Sequence, residues 1–436
     1  MEQVSPEVVS PTGCPVSALG QSFDPFTDRF QADPYAIFEE ARRDEPVLYS
    51  PGTGAFVVTR YDDVAAVMKD PETFSASNVV DFVVPPCAAA MEKLMAARFV
   101  PGPVTVNEDD PEHRPHRDVL RRAFSKERLA ELEPMIRGWV ADYVDKFVKK
   151  GEADLVLDYM WEIPALAAFY LIGVPDSEVA RVKQFAVQRA ELNFGRPSEE
   201  RQVQLAEEFG EFWEWCMWHV DTLWENPNSS FMSEMIELAK EPEYSEILDR
   251  TYIYRMCMNL LFAGHETTTN GAGNAFVGLL TNIDQWQRLV DDPSLTKNAA
   301  DETLRYLSAA PMWRRRATRD TEIGGVKIPA ESQVLVAFGS ANRDEAHFPN
   351  ADQLDVSRED ARQHFTFGWG RHKCLGQGLA RMEISIAIEE LTRRLPHMRL
   401  VEGQTFDYAP TIIFRGPKHI MVEWDPTQNP VSADRP

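Results

Sequence analysis

The hydrophobic positions of this 436-residue chain recur mostly at intervals of three and four residues, the spacing that lines one face of an α-helix. The clearest stretches predict helices over the ranges 112–148, 201–225, 249–280, 294–308 and 375–395. β-Branched runs are few, and they predict strands at 54–60, around two turns within 321–338, and as a short pair at 411–424. The pattern therefore predicts a mainly α protein with small β-sheets.

The domain organisation follows from the same pattern, because no linker-like break or internal repeat interrupts it. We expect a single domain over residues 23–424. The flanking segments are rich in proline and polar residues, so residues 1–22 are predicted to be a flexible lead and residues 425–436 a tail or a truncated linker.

The charge balance narrows the classes of partner. The chain has 69 acidic and 45 basic residues and a formal net charge of −24, which argues against binding to nucleic acid or to an anionic membrane surface. No apolar run reaches the length of a membrane span, and the acidic N-terminus does not resemble a signal peptide. We therefore expect a cytoplasmic, monomeric protein that does not bind membranes.

The predicted helix over 249–280 has an unusual buried face. Its apolar stripe continues into small and hydroxyl-bearing residues at Gly264, Thr267 and Gly271, within the stretch AGHETTTNGAG. Glycine inside a helix costs about 1 kcal/mol relative to alanine, so this composition needs a reason. Close packing against another helix is one, and room for a flat group pressed against the helix is the other.

The five cysteines have no paired spacing, which makes disulfides and a two-cysteine metal site unlikely on pattern alone; they are Cys14, Cys87, Cys216, Cys257 and Cys374. Cys374 differs from the rest because it stands in the glycine-rich stretch FGWGRHKCLG, directly before the predicted helix at 375–395. A helix N-terminus favours a thiolate. Cys374 could accordingly be a packed thiol, a redox thiol or a metal ligand.

At this point the sequence resembles the cytochrome P450 family of haem-thiolate monooxygenases. FGWGRHKCLG matches that family's cysteine-ligand signature, AGHETT resembles the oxygen-binding groove of its long central helix, and Glu302 with Arg305 resembles its ExxR pair, completed by Arg358. The resemblance spans about 23–424. It implies a fold in which haem lies between the central helix and the cysteine loop with its following helix.

The resemblance also implies roles for individual residues. Cys374 would bind the iron of haem b. The oxygen groove and proton relay would comprise Ala263, Gly264, Glu266 and Thr267. The haem would be held by His113, Arg117, Arg315, Phe367, Gly368, His372 and Gly376, with Arg315 preferred over its neighbours Arg314 and Arg316. Glu302, Arg305 and Arg358 would be structural.

The chemistry expected of these residues is activation of dioxygen. An axial thiolate donates electron density that favours O–O cleavage. The Thr267 hydroxyl can hydrogen-bond bound oxygen, and Glu266 can relay protons from water. The expected reaction is insertion of one oxygen atom by hydroxylation, O-dealkylation or epoxidation. The alternatives are a peroxygenase that uses hydrogen peroxide and a non-catalytic haem sensor.

The substrate is expected to be small, neutral, and apolar or aromatic, because no lysine or arginine occurs within 78–92. The family resemblance suggests that the 78–100 region contributes to the pocket. The candidate pocket residues are Val83, Met91, Met95, Leu192, Phe194, Leu261, Ala309, Met312 and Ile412.

The two ends of the chain resemble, more narrowly, the haem modules of bacterial self-sufficient enzymes, in which a flavin and iron–sulfur reductase follows on the same chain. This resemblance implies electrons from NAD(P)H through FMN and a 2Fe–2S cluster that are not part of this chain. The expected docking site for the reductase is a basic patch on the cysteine-loop side, formed by Arg114, Arg121, Arg122, Lys126, Arg371 and Lys373.

Overall fold

A computed structural model describes residues 9–430 of the chain. Its helices, in chain order, are α1 (Ala18–Ser22), α2 (Asp28–Ala32), α3 (Pro34–Asp44), α4 (Tyr61–Lys69), α5 (Ala88–Ala96), α6 (His113–Leu120), α7 (Lys126–Asp145), α8 (Ile163–Ile172), α9 (Val179–Phe194), α10 (Glu199–Glu225), α11 (Phe231–Ala239), α12 (Arg250–Thr281), α13 (Ile283–Asp291), α14 (Thr296–Tyr306), α15 (Phe338–Ala341) and α16 (Gln377–Arg394).

The strands form small sheets around this helical body. They are β1 (Val47–Ser50), β2 (Ala55–Val58), β3 (Phe74–Ser75), β4 (Glu152–Asp154), β5 (Trp313–Ala317), β6 (Thr321–Ile323), β7 (Val326–Ile328), β8 (Gln333–Val336), β9 (Arg399–Leu400) and β10 (Met421–Glu423). One sheet has the order β1-β2-β8-β5-β3, with only β2 and β8 parallel; the others are β4-β10-β9 and β6-β7. The predicted mainly α class with small sheets is confirmed.

The long helix α12 passes through the middle of the molecule. Asp249 caps its N-terminus by accepting a hydrogen bond from the Tyr252 N–H. Its first turns pack into a core shared with α10 and α11, and its last turns pack into a second core shared with α7, α14 and α16. Because both ends of the helix are buried in this way, its middle turns are held in a fixed position.

Two predicted segments differ from the structure, and strand β5 is among the elements that were not predicted. The helix expected over 112–148 is divided into α6, a 3₁₀ turn at Arg121–Phe124 and α7, because Ser125 adopts an extended conformation and caps α7 through its hydroxyl. The strand pair expected over 411–424 is reduced to β10, which pairs with β4 and β9. The strand β5 was not predicted, because its three consecutive arginines hide the period-2 pattern.

The ends of the described region are more regular than expected. The predicted flexible lead includes α1, where Ser17 caps the helix and Gly20 packs closely against β1. In the predicted tail, Pro426–Gln428 forms a 3₁₀ turn and the Asn429 amide donates to the Val148 carbonyl at 3.0 Å. Residues 1–8 and 431–436 lie outside the described part of the chain.

Across residues 9–430, no helix combines the length and the apolar content that a bilayer span requires.

Candidate active site

A large cavity lies against the middle turns of α12. It contains about 1610 Å³ of space free of protein atoms, its open mouth included. The α12 residues that line it are Met256, Asn259, Leu260, Ala263, Gly264, Thr267 and Thr268. They recur at intervals of three and four, so one continuous face of the helix borders the cavity.

The small residues of α12 serve both of the purposes that the sequence left open. Gly264 lines the cavity, and a Cβ atom added to it would lie 2.9 Å from the Cβ of Ala168 on α8. Ala263 exposes its side chain to the cavity. Close helix packing and room for a group inside the protein therefore occur at neighbouring positions of the same helix.

Another part of the cavity wall is formed by the loop before α16. The Cys374 N–H donates to the Phe367 carbonyl at 2.9 Å, which closes the loop into a tight turn. Gly370 has a φ of +68°, and a Cβ atom at this residue would lie 2.7 Å from the Met68 carbonyl oxygen. Glycine is required there both by the left-handed backbone and by this contact. The turn presents the Cys374 side chain to the cavity.

The environment of Cys374 has two opposing effects on its thiol. The sulfur is accessible from the cavity yet lies deep within the protein, and this burial raises the pKa of Cys374 above its usual range. The backbone N–H groups of Gly376 and Gln377 and the Arg117 guanidinium lower the pKa of the same thiol. Arg117 also donates to the Lys373 carbonyl at 2.5 Å, which ties α6 to the loop. Burial outweighs these groups, so the thiol keeps its proton more firmly than a free cysteine, while the N–H groups and Arg117 stand where they would stabilise a thiolate once it forms.

Of the three adjacent arginines on β5, Arg315 faces the cavity. Arg314 donates to the Asp81 carbonyl at 2.5 Å, and Arg316 lies 3.6 Å from the Asp81 carboxylate. Arg315 is buried and makes no ion pair within the described residues; its guanidinium donates a hydrogen bond to the Arg314 carbonyl at 2.7 Å. Burial lowers the pKa of Arg315 to about 10. Arg315 is thus the arginine of β5 that lines the cavity, and its role toward a haem carboxylate stays a prediction.

Two histidines lie near these cations. The rings of His113 and His372 are 4.2 Å apart, and none of their four nitrogens has a hydrogen-bond partner among the described residues. Burial, with Arg315 as the next cause, lowers the pKa of His372 to about 2; burial and Arg117 lower the pKa of His113 to about 4. His372 lines the cavity, whereas His113 lies behind it.

Glu266 is buried on α12 next to Thr267. It is not among the residues that line the cavity, and its Oε2 has no hydrogen-bond partner among the described residues. Burial raises the pKa of Glu266 to about 8. The Thr267 hydroxyl lines the cavity and donates to the Ala263 carbonyl at 2.7 Å, which leaves its oxygen lone pairs free to accept.

The Glu302 carboxylate organises a buried network below the cavity. Glu302 and Arg305 form two hydrogen bonds of 2.7 and 2.8 Å, and Arg358 donates to the same carboxylate at 3.1 Å. Arg305 also donates to the carbonyls of Asn342 and Ala351, each at 2.8 Å. These contacts fix the segment that leads to the cysteine loop.

Most of the pocket residues predicted from the sequence do not line the cavity. Of the nine, only Ala309 lines the cavity. Met91 and Met95 are on the outer surface of α5 and are 42% and 71% exposed, so they do not form the adaptable wall that was expected. The remaining six belong to cores beside the cavity; they are Val83, Leu192, Phe194, Leu261, Met312 and Ile412. Leu261 points away because its neighbours Leu260 and Ala263 occupy the cavity face of α12.

Comparisons with known proteins decide the family. A family model described as "Cytochrome P450" matches residues 198–424. Cytochrome P450-SU2 of Streptomyces griseolus is 35% identical over 398 residues, covering 90% of this chain and 94% of that protein. The chain belongs to the cytochrome P450 family. It is accordingly a haem-thiolate monooxygenase.

Two solved P450 structures are close to this one. An intact type IV self-sufficient cytochrome P450 monooxygenase is 41% identical with a TM-score of 0.94; the match covers 98% of this chain and 56% of that one. The P450 heme domain of Tepidiphilus thermophilus is 41% identical with a TM-score of 0.90, covering 94% of this chain and 99% of that one. This chain thus spans little more than half the length of the intact self-sufficient enzyme.

The residues of this P450 fit a haem on structural grounds. The cavity presents one thiol, and beside it stand Arg315 without a carboxylate partner and His372 without hydrogen bonds. No aspartate or glutamate is among the lining residues. A flat apolar group that carries two carboxylates would supply a counter-charge for Arg315 and a hydrogen-bond acceptor for the neutral His372 ring.

Several lining residues of this P450 were missed from sequence, among them Thr105, Phe231, Met256, Asn259 and Phe414. Asn259 could have been found, because it lies four and eight residues before Ala263 and Thr267, on the same helical face. The others come from distant elements and carry no local signal of their position.

Proposed function

We propose that this P450 inserts one oxygen atom from dioxygen into a small, neutral, mostly apolar or aromatic substrate. The observation that carries the proposal is the presence of the Cys374 thiol and the Thr267 hydroxyl on the wall of one apolar cavity. When bound there, haem would supply the reductive activation of dioxygen. The protein residues would hold the haem, position the substrate and deliver protons.

The residues around the cavity have separate roles in this proposal. Cys374 would ligate the iron, assisted by the N–H groups of Gly376 and Gln377. Arg315 and His372 would bind the haem carboxylates, with His113 behind His372. Phe367 and Gly368 would form the cavity wall beside the thiol.

Proton delivery would depend on the α12 pair. Glu266 carries a proton near neutral pH because burial raises the pKa of this residue to about 8. A carboxyl with such a pKa can release and regain a proton near the working pH, as general acid catalysis requires. The Thr267 hydroxyl would accept that proton and donate its own toward the cavity, while Ala263 and Gly264 leave space for dioxygen.

The proposed neutrality of the substrate follows from the charges on the wall. Without a carboxylate among the described lining residues, a cationic substrate would be desolvated without a partner. The basic residues of the cavity are Arg117, Arg315, His372 and Lys373; the proposed haem contacts engage Arg315 and His372, and Arg117 donates to the Lys373 carbonyl beside the Cys374 thiol. The rest of the wall is dominated by aliphatic and aromatic side chains.

For the electron source we propose a flavin and iron–sulfur reductase that takes electrons from NAD(P)H, either fused to this chain or separate. The intact self-sufficient structure supports this proposal. The candidate docking site is a surface depression on the cysteine-loop side, lined by Arg114, Arg117, Arg121 and Arg371 together with His113, Gly370 and two acids. We propose a cytoplasmic location, because such a reductase requires NAD(P)H.

The depression is less basic than the sequence suggested. Arg121 lies 2.9 Å from Asp118, Arg114 lies 3.7 Å from Asp110, and Arg371 lies 2.6 Å from Glu72. These acids neutralise part of the expected positive field. Docking would therefore depend on these arginines exchanging their present acidic partners for acids of the reductase, as well as on long-range attraction.

The test of the proposed function begins with the haem ligand. The reduced, carbonyl-bound protein should show the red-shifted Soret band of thiolate ligation. Cys374→Ser should abolish this band, and Cys257→Ser, at a buried cysteine of α12 that does not line the cavity, should retain it. Retention of the band in Cys374→Ser would refute the assignment of the ligand.

The reaction class needs a second assay. Product from an aromatic panel should form aerobically with NAD(P)H and a supplied reductase. Equal turnover with hydrogen peroxide alone would favour a peroxygenase, and haem binding without product under either condition would favour a sensor.

A further inference from the structure

Asn259 is the only carboxamide, and the only polar side chain on its turn of α12, among the residues lining the cavity. It precedes Ala263 by four residues and Thr267 by eight, so the three side chains follow one another along the cavity face. At 1.5 Å per residue, Asn259 lies about 6 Å along the helix axis from Ala263. It is flanked on the cavity wall by Met256 and Leu260, and Phe231 of α11 and Val106 also line the cavity.

Hydrogen bonds within the protein occupy three of the four threonine hydroxyls that line the cavity, and Thr268 is the one without such a bond among the described residues. The hydroxyl of Thr105 pairs with the Tyr252 hydroxyl at 2.8 Å, and the hydroxyl of Thr366 donates to the Leu304 carbonyl at 2.7 Å. Thr267 donates to the Ala263 carbonyl. The half-buried Asn259 amide likewise makes no hydrogen bond to the described side chains and backbone of residues 9–185 and 190–430. Its donor and acceptor sites are therefore available to whatever fills the cavity.

The chemistry of this group restricts its partner. A carboxamide can donate to a carbonyl or ether oxygen and accept from a hydroxyl, and it carries no charge to compensate an ion. An apolar ligand that covered Asn259 would remove its hydration without replacing the hydrogen bonds, which is unfavourable. A ligand that places a neutral oxygen function beside Asn259 would restore these hydrogen bonds.

We infer that Asn259 is a specificity-determining residue that binds a neutral oxygen function, a carbonyl or hydroxyl, of an otherwise apolar substrate. This inference rests on the proposed function and refines its substrate class. The oxygen function would be held toward the α12 N-terminus, about 6 Å from Ala263, and the opposite end of the substrate would lie in the groove beside Thr267. The site thus selects both the functional group and the end of the molecule that is oxidised.

A matched pair of probes tests the inference by binding alone. 1-Tetralone and tetralin share a bicyclic shape and differ in one carbonyl. Their dissociation constants would be measured from the shift of the Soret band in the haem-loaded protein. Asn259→Leu nearly preserves the side-chain volume and removes the amide, and Asn259→Ala removes the amide without branching.

The quantity to compare is the preference for tetralone over tetralin in each protein, because the different hydration of the two probes cancels between proteins. We expect this preference to be about tenfold greater in the wild type than in Asn259→Leu or Asn259→Ala, because each variant loses one neutral hydrogen bond to the carbonyl of tetralone. Tetralin itself should bind Asn259→Leu more tightly than the wild type. Met256→Leu, one turn away on the same face, should change both constants by the same factor.

The outcomes separate the inference from the proposed function. An unchanged preference in both Asn259 variants, with the thiolate-type carbonyl spectrum intact, would overturn the role of Asn259 and leave the monooxygenase assignment standing. An equal loss of preference in Met256→Leu would overturn it as well, since the effect would then be one of cavity shape. Absence of the thiolate-type spectrum in the wild type would instead refute the proposed function.

Discussion

Arg315 offers a direct test of how this P450 holds haem, because its environment predicts opposite effects on the haem-free and haem-loaded protein. It is 3% exposed and has no carboxylate partner within the described residues. Burial lowers its pKa to about 10, and at about 1.4 kcal/mol for each pH unit the charged guanidinium costs the haem-free fold about 3 kcal/mol. Arg315→Met keeps much of the side-chain volume and removes this charge.

The expected gain in the haem-free protein is smaller than the full cost. The substitution also removes the hydrogen bond to the Arg314 carbonyl, worth about 1 kcal/mol. We therefore expect Arg315→Met to raise the free energy of unfolding of the haem-free protein by about 2 kcal/mol. In the haem-loaded protein the same change should weaken haem binding, because one buried carboxylate loses its partner and such losses cost about 3–5 kcal/mol.

Urea unfolding of the haem-free protein and haem transfer to apomyoglobin measure the two effects. Arg316→Met is the matched control: Arg316 is adjacent and 38% exposed, and it faces Asp81 and Glu331, so its loss should change either quantity by less than about 1 kcal/mol. Unchanged haem transfer in Arg315→Met would exclude Arg315 as a carboxylate partner. If haem-free Arg315→Met were less stable than the haem-free wild type, the interpretation of Arg315 as an uncompensated buried charge would be refuted.

Four further predictions concern other parts of the site. Thr267→Ala should retain haem and consume NAD(P)H but release more peroxide and less product; unchanged coupling would remove Thr267 from proton delivery. Glu266→Gln should stabilise the fold by an amount that increases from pH 5 to pH 8. The buried Glu266 carboxyl has a raised pKa of about 8, so between its unfolded pKa and about 8 the native state holds a proton that the unfolded state has lost. The stability of the wild type therefore falls as the pH rises through this range, whereas the amide of the variant does not titrate. Equal melting-temperature differences at both pH values would contradict this. Glu302→Gln should cost about 3–5 kcal/mol in urea unfolding because it leaves Arg305 and Arg358 buried without a counter-charge, whereas Glu133→Gln, in an exposed pair with Arg137, should cost less than about 1 kcal/mol. Arg121→Glu with Arg122→Glu should slow reduction by a separate reductase at low salt while leaving haem binding intact; rates equal to the wild type would place the docking site elsewhere.

The sequence by itself determined the features that depend on local spacing. The helical period predicted α10, α12, α14 and α16 to within about two residues at most ends. The glycine-bounded Cys374 and the small residues of α12 stood out because a thiol at a helix N-terminus and room beside a long helix are properties of short segments; the pattern left several uses of Cys374 open, and the family resemblance indicated which one to expect. The position of Arg315 in its motif likewise selected the arginine that faces the cavity.

The tertiary structure alone decided which side chains share the cavity. Phe414 reaches it from a loop far along the chain, and Met95 is excluded from it by the orientation of α5, although both are apolar residues in plausible positions. It also decided the local charge: Arg371 appears as part of a basic patch in the sequence, but the fold places the carboxylate of Glu72, 299 positions away in the chain, beside its guanidinium. Cavity walls and ion pairs join residues that are hundreds of positions apart, so packing, rather than periodicity, determines their membership.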